Sequence, residues 1–223
     1  ASFDLGFRNE LSEAPSVGGT SGFGGLDNIW FSLQTALPNF SATLPDPTRA
    51  PYSGFLARSP AAQTDRSFTG FADNVERYFF GRIGLNYSIP AIKGLELKFD
   101  FNYTSNEKFT KTLNTPFEVF SYNYASDQYE SFGLNGNNRL DERTSRFTRI
   151  YPLISLNYNR TFGNHDLGFL ALGEGIDTEF TNLQGARIDL LSPDVPYLFS
   201  GSTENIENNS GAVETGRVSY VGR

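Results

Sequence analysis

Residues 95–103 read Leu-Glu-Leu-Lys-Phe-Asp-Phe-Asn-Tyr, a strict alternation of apolar and polar side chains. Successive side chains of a strand point to opposite faces. Leu95, Leu97, Phe99, Phe101 and Tyr103 therefore share one face, and Glu96, Lys98, Asp100 and Asn102 share the other. Proteins rarely bury full charges unpaired. Either the charged face meets bulk water and the apolar face a core, or the charged face lines a wet lumen and the apolar face meets lipid. The function depends on which.

The same pattern recurs along the chain. Strands are expected near 1–11, 77–89, 95–104, 149–160, 166–175 and 215–223. Between them, residues 12–76, 105–148 and 176–214 are rich in Gly, Pro, Ser, Asn and Asp and read as loops. Within the first loop the period changes. Leu26, Ile29, Trp30, Leu33 and Leu37 are spaced as one helical face, and Pro38 ends the pattern. Two connections are short, at Pro90-Ala91-Ile92-Lys93-Gly94 and around Gly163-Asn164. Long and short connections therefore alternate. Most connections in compact domains are about 4–6 residues. Long loops at one end and tight turns at the other is the outer-membrane barrel pattern. The expected fold is all-β: about six antiparallel up-and-down strands of a transmembrane barrel.

Composition agrees. The chain has 223 residues and a net charge of −7, with no visible basic patch, so nucleic acid is excluded as a partner. No apolar run reaches the roughly 18 residues of a spanning helix, which does not argue against a barrel. Aromatics are 15% of the chain, which suits strands and interfacial belts. Cysteine is absent, which removes disulfides and thiolate metal sites. Methionine is also absent, so a processed product or an excerpt of a longer chain is expected.

Leu156-Asn157-Tyr158-Asn159-Arg160-Thr161-Phe162-Gly163-Asn164-His165-Asp166-Leu167, running on to Leu172-Gly173-Glu174, resembles a hairpin of SusC/RagA-type TonB-dependent outer-membrane transporters. That hairpin has a Phe-Gly-x-His turn and a strand ending near Leu-Gly-aromatic-Glu. The aromatic between Gly173 and Glu174 is missing here. Arg82-Ile83-Gly84-Leu85-Asn86-Tyr87, Ile92-Lys93-Gly94-Leu95-Glu96-Leu97-Lys98 and Gly216-Arg217-Val218-Ser219-Tyr220 are similar to the same barrel region. The resemblance implies part of a barrel wall in the outer membrane of a Gram-negative bacterium. A plug domain and a TonB-contacting segment belong to that family, and neither is visible in this sequence. It implies import of a glycan or peptide under a SusD-like surface lipoprotein lid. Leu95, Leu97, Phe99, Phe101 and Tyr103 would then face lipid, and Arg82, Glu96, Lys98 and Asp100 the lumen. The alternative is a soluble or surface-exposed β-sandwich that binds glycan or protein through its loops. It needs a second apolar sheet, and no further strand-like stretch is evident to supply one.

Trp30, the only tryptophan, either contacts a sugar or partner or packs its helix against the loop base; packing is the expectation. Phe117, Phe120, Tyr122, Tyr124 and Tyr129 form an aromatic stretch that either contacts ligand or lid or packs on itself. His165 is the only histidine and is expected to be structural. Asn135, Asn137, Asp141 and Glu142 weakly suggest a calcium loop, but Arg139 stands where a ligand is needed. Asp46 and Asp127 have no placed carboxylate partner. No cofactor, metal centre or enzymatic activity is expected.

Overall fold

The computed structural model describes residues 1–16, 26–54, 58–135 and 138–223. In chain order the elements are β1 (Ser2–Pro15), α1 (Leu26–Thr35), β2 (Ala50–Pro51), α2 (Pro60–Gln63), α3 (Arg66–Thr69), β3 (Gly70–Ser88), β4 (Leu95–Asn114), β5 (Phe117–Asn123), β6 (Gln128–Asn135), β7 (Arg139–Phe162), β8 (His165–Ile188) and β9 (Glu207–Gly222). A 3₁₀ turn, Leu198–Ser200, precedes β9.

Six strands pair antiparallel in the order β1-β3-β4-β7-β8-β9, which is also their order along the chain. The sheet is an open strip, with β1 and β9 as its edges. The turn 89–94 joins β3 to β4, and Gly163-Asn164 joins β7 to β8 at the same end. Gly163 has φ +64, the sign that primed hairpin turns require. The long connections 16–69, 115–138 and 189–206 all lie at the opposite end. The all-β expectation and the alternation of long and short connections therefore hold.

The expected loops 12–76, 105–148 and 176–214 need correction. β4 continues to Asn114, β7 begins at Arg139, β8 runs to Ile188 and β9 begins at Glu207. β3 likewise begins at Gly70, and β1 reaches Pro15. A backbone ladder does not need apolar alternation. Beyond about residue 105 polar cross-strand pairs accompany it instead. Asn106 Nδ2 donates to Glu76 Oε1 at 2.9 Å, and Thr110 Oγ1 to Asn74 Oδ1 at 3.0 Å. Lys111 pairs with Glu142 at 3.1 Å. The remaining connections also hold a second sheet of three strands, β2-β5-β6.

Every fully buried apolar side chain among the described residues lies at the long-connection end. Leu113, Leu140 and Leu190 pack with Phe71 and Leu198 over the far ends of the large sheet. Ala50, Ala62, Phe117 and Val119 pack with Tyr52 and Phe68 beneath the small sheet. Ser59 and Asp65 cap the two short helices of that region, accepting from the amides of Ala62 and Ser67. At the tight-turn end, no core covers either face of the sheet among the described residues.

Candidate functional site

The register settles which side chains share a face, because paired residues in an antiparallel ladder point the same way. Leu95 stands beside Tyr158, and Tyr158 beside Phe169. Further along come Tyr87, Leu97, Leu156 and Ala171, then Leu85, Phe99, Ile154, Gly173 and Tyr220. Phe3, Ile83, Phe101 and Pro152 follow, then Leu5, Gly81, Tyr103 and Ile150, and then Phe7 and Phe79. The five residues expected on the apolar face thus belong to a band that crosses the sheet. The band is open even on interior strands, where Ile154 is 51% and Leu85 49% exposed. On β3, β4 and β7 it stops at a polar row of Arg77, Glu107 and Arg146, flanked by Asn9 and Thr181, whereas on β8 it ends sooner, at Asp177 beside Ile150 and Glu179 beside Thr148.

Arg82, Glu96, Lys98 and Asp100 all fall on the other face. Arg82 donates to Asp100 Oδ1 from Nε at 3.2 Å and from Nη2 at 2.8 Å. No ion pair among the described residues engages Glu96 or Lys98. Deeper on this face Tyr151 donates to Glu174 at 2.8 Å, and Arg217 approaches the same carboxylate at 3.6 Å. These contacts were not evident in the sequence, because they depend on register between strands far apart in the chain.

The aromatic stretch divides by parity along β5. Phe117 and Val119 point into the core, where Phe117 is 8% exposed and lies edge-on to Phe68 at 6.1 Å. Phe120 and Tyr122 point the other way and meet Tyr129 of β6, at 6.3 and 4.8 Å between ring centroids. Tyr124 stands perpendicular to Tyr122 at 4.8 Å and is 78% exposed. Four of the five residues therefore gather on one surface, and Phe117 does not.

Residues of the Pro-rich connection complete this surface. Arg49 lies over Tyr129 at 4.2 Å and over Phe120 at 4.8 Å. Asp46 holds it by accepting from Arg49 Nε at 3.2 Å, and the Asp46 amide donates to the Tyr129 hydroxyl at 2.9 Å. The Thr48 hydroxyl and amide donate to Asp46 as well, and they lower its carboxyl below the usual range. The Tyr122 hydroxyl donates to Asp127, which pushes its phenol up to about 12. The result is an exposed aromatic platform with carboxylates and a guanidinium at its margin. It can stack on a planar or CH-rich face and hydrogen-bond around it. On the opposite, core-side face, Tyr52 stacks on Phe132 at 4.2 Å.

Trp30 lies elsewhere, on α1, and is 62% exposed. The expected packing role falls instead to the opposite side of the helix. There Ser32 is fully buried and accepts from Arg58 at 3.2 Å, while Arg58 also covers Phe31 at 4.8 Å. His165 is exposed beside the β7–β8 turn. Asp141 is engaged by Arg139 at 2.7 and 2.9 Å. Asn137 lies outside the described residues, as does the side chain of Asn135. Among the described residues no group of three or more His, Asp or Glu is placed to hold a metal ion. No family model matches this chain, and no curated protein matches it.

Proposed function

We propose that this chain forms part of the wall and extracellular loops of a TonB-dependent outer-membrane importer of the SusC/RagA type. The observation that carries the reading is the open apolar band with no protein core over it. From Leu95 to Ser105 the band runs about 33 Å along β4 at 3.3 Å per residue. At a barrel tilt of about 40° that is about 25 Å of height, the apolar height of an outer-membrane barrel. Strands of 24 residues in β7 and β8 exceed the 9–11 or so a tilted span needs, so their polar halves stand clear of the bilayer. A sandwich would need a second apolar sheet over this band, and the small sheet packs at the other end.

In this reading the band faces lipid, and Arg82, Glu96, Lys98 and Asp100 face the lumen. Further strands pair with the edges of β1 and β9 to close the barrel. The aromatic platform and exposed Trp30 meet a glycan or peptide substrate or a SusD-like lipoprotein lid. Plug movement by TonB belongs to other parts of such an importer.

This chain holds no cysteine of its own, so labelling is read against the full-length protein without the introduced cysteine. Single cysteines along β4 are treated, in the full-length protein in cells, with a membrane-impermeant maleimide. Cysteines at Glu96, Lys98 and Asp100 react, while those at Leu97, Phe99 and Phe101 stay protected. The alternation fades past Asn106. Equal labelling on both faces sinks the membrane reading.

A further inference from the structure

One groove lies on the band face just past its edge. It has a volume of about 360 Å³ and is lined by Val75, Arg77, Glu107, Phe109, Thr144 and Arg146. Arg77, Glu107 and Arg146 are consecutive across β3, β4 and β7 in the polar row that ends the band. Val75, Phe109 and Thr144 form the next row of the same face. Apolar floor and cationic rim therefore come from adjacent rows of one ladder.

We propose that this groove holds the anionic phosphorylated headgroup of a membrane lipid whose chains lie along the band. The proposal rests on the band facing lipid. The polar row lies two residues beyond Phe79, about 7 Å along the strand. At barrel tilt this is about 5 Å of height, within the headgroup layer that flanks the hydrocarbon core. A protein partner would have to displace headgroups to reach it, whereas a lipid is already there.

The charges fit a phosphate. Arg77 is exposed and has no ion-pair partner among the described residues. Arg146 meets Glu107 only loosely, at 3.7 Å, with both side chains about half exposed. Guanidinium forks match phosphate oxygens in geometry, and Thr144 adds a hydroxyl donor. Glu179 and Glu214 face each other on β8 and β9 of the same face, which keeps an anion to the β3–β4 side. Val75 and Phe109 give the headgroup carbons an apolar seat.

The test uses full-length protein in neutral detergent, titrated with phosphatidylglycerol, phosphatidylcholine or inorganic phosphate. Bound lipid is counted by native mass spectrometry. Phosphatidylglycerol binds in preference to phosphatidylcholine, and inorganic phosphate at matched concentration does not displace it. The double variant Arg77→Gln/Arg146→Gln binds phosphatidylglycerol on the order of tenfold more weakly. Glu107→Gln binds it more tightly, because the competing carboxylate is gone. Unchanged affinity in the double variant overturns the proposal. So does equal binding of phosphatidylcholine, or displacement by inorganic phosphate, which marks a bare ion site. The cysteine pattern along β4 is read in the double variant too. If that alternation persists while lipid preference is lost or was never present, the outcome bears on the groove alone and the wall reading stands.

Discussion

The amide of Asn159 on β7 donates to the carbonyl of Gly94 at 2.8 Å, which carries the β4–β7 ladder into the tight turn. Gly94 has φ +88, and a Cβ there would sit 1.9 Å from the carbonyl oxygen of Asn159. Both the backbone angle and the space exclude a side chain. Gly163 also has positive φ, at +64, but nothing lies near its Cβ position. Gly163→Ala should therefore cost about 1–2 kcal/mol, the ordinary penalty of a left-handed residue. Gly94→Ala should cost more, because the paired backbone must also move. Denaturant unfolding of the two variants side by side measures this, and equal losses would contradict it.

Phe99 and Ile154 stand opposite each other in the middle of the apolar band. Phe109 shares their face but lies beyond the polar row. If lipid covers the band, Phe99→Arg or Ile154→Arg should destabilise the bilayer-inserted protein by about 2–4 kcal/mol. Phe109→Arg should cost about 0–1 kcal/mol, since it meets headgroups or water. Unfolding from lipid vesicles reads the difference. A flat profile with depth would remove the membrane from the argument.

Much of the sheet was legible because the band imposes period 2 on the sequence. In the proposed reading, Leu95 to Tyr103 alternates because one face meets lipid and the other a wet lumen. Past Ser105 the band face carries polar partners instead, and Lys108-Phe109-Thr110-Lys111-Thr112 lacks the alternation while keeping its ladder. The halves of the long strands beyond the band therefore look like loop in the sequence. Parity separates Phe117 from Phe120 and Tyr122 only once Phe117–Asn123 is a strand, and no unbroken apolar alternation marks it as one. The roles of Asp46 and Arg49 leave no local signal. They reach the platform by tertiary contact across the Pro-rich connection, and no spacing encodes that.

The aromatic stretch should split in its mutational effects as it splits in space. Phe117→Ala empties part of the core formed with Val119, Ala50 and Ala62, and should cost about 3–5 kcal/mol in the stability of the long-connection end. Hydrogen exchange localises that loss to β5 and β6. Tyr124→Ala removes an exposed ring and should leave exchange unchanged. If the platform contacts ligand, Tyr124→Ala weakens uptake or binding at unaltered stability. Protection lost equally in both variants would mean that the platform is merely part of the local packing.

Tyr122 offers a titration that checks the platform's geometry without a ligand. Its hydroxyl donates to Asp127, and the adjacent carboxylate opposes a second negative charge, so the phenol rises from 10.0 to about 12. A raised pKa means that the folded state holds its proton more tightly than the unfolded state does. The stabilisation is complete below about pH 10 and disappears as pH rises through about 12. The ultraviolet phenolate signal of the parent minus that of Tyr122→Phe isolates this group. Its midpoint should lie near 12, and Asp127→Asn should draw it back toward 10.0. A midpoint already near 10.0 in the parent would show that the hydroxyl does not donate to Asp127, and the left-handed Asp127 that turns β5 into β6 would then owe nothing to that bond.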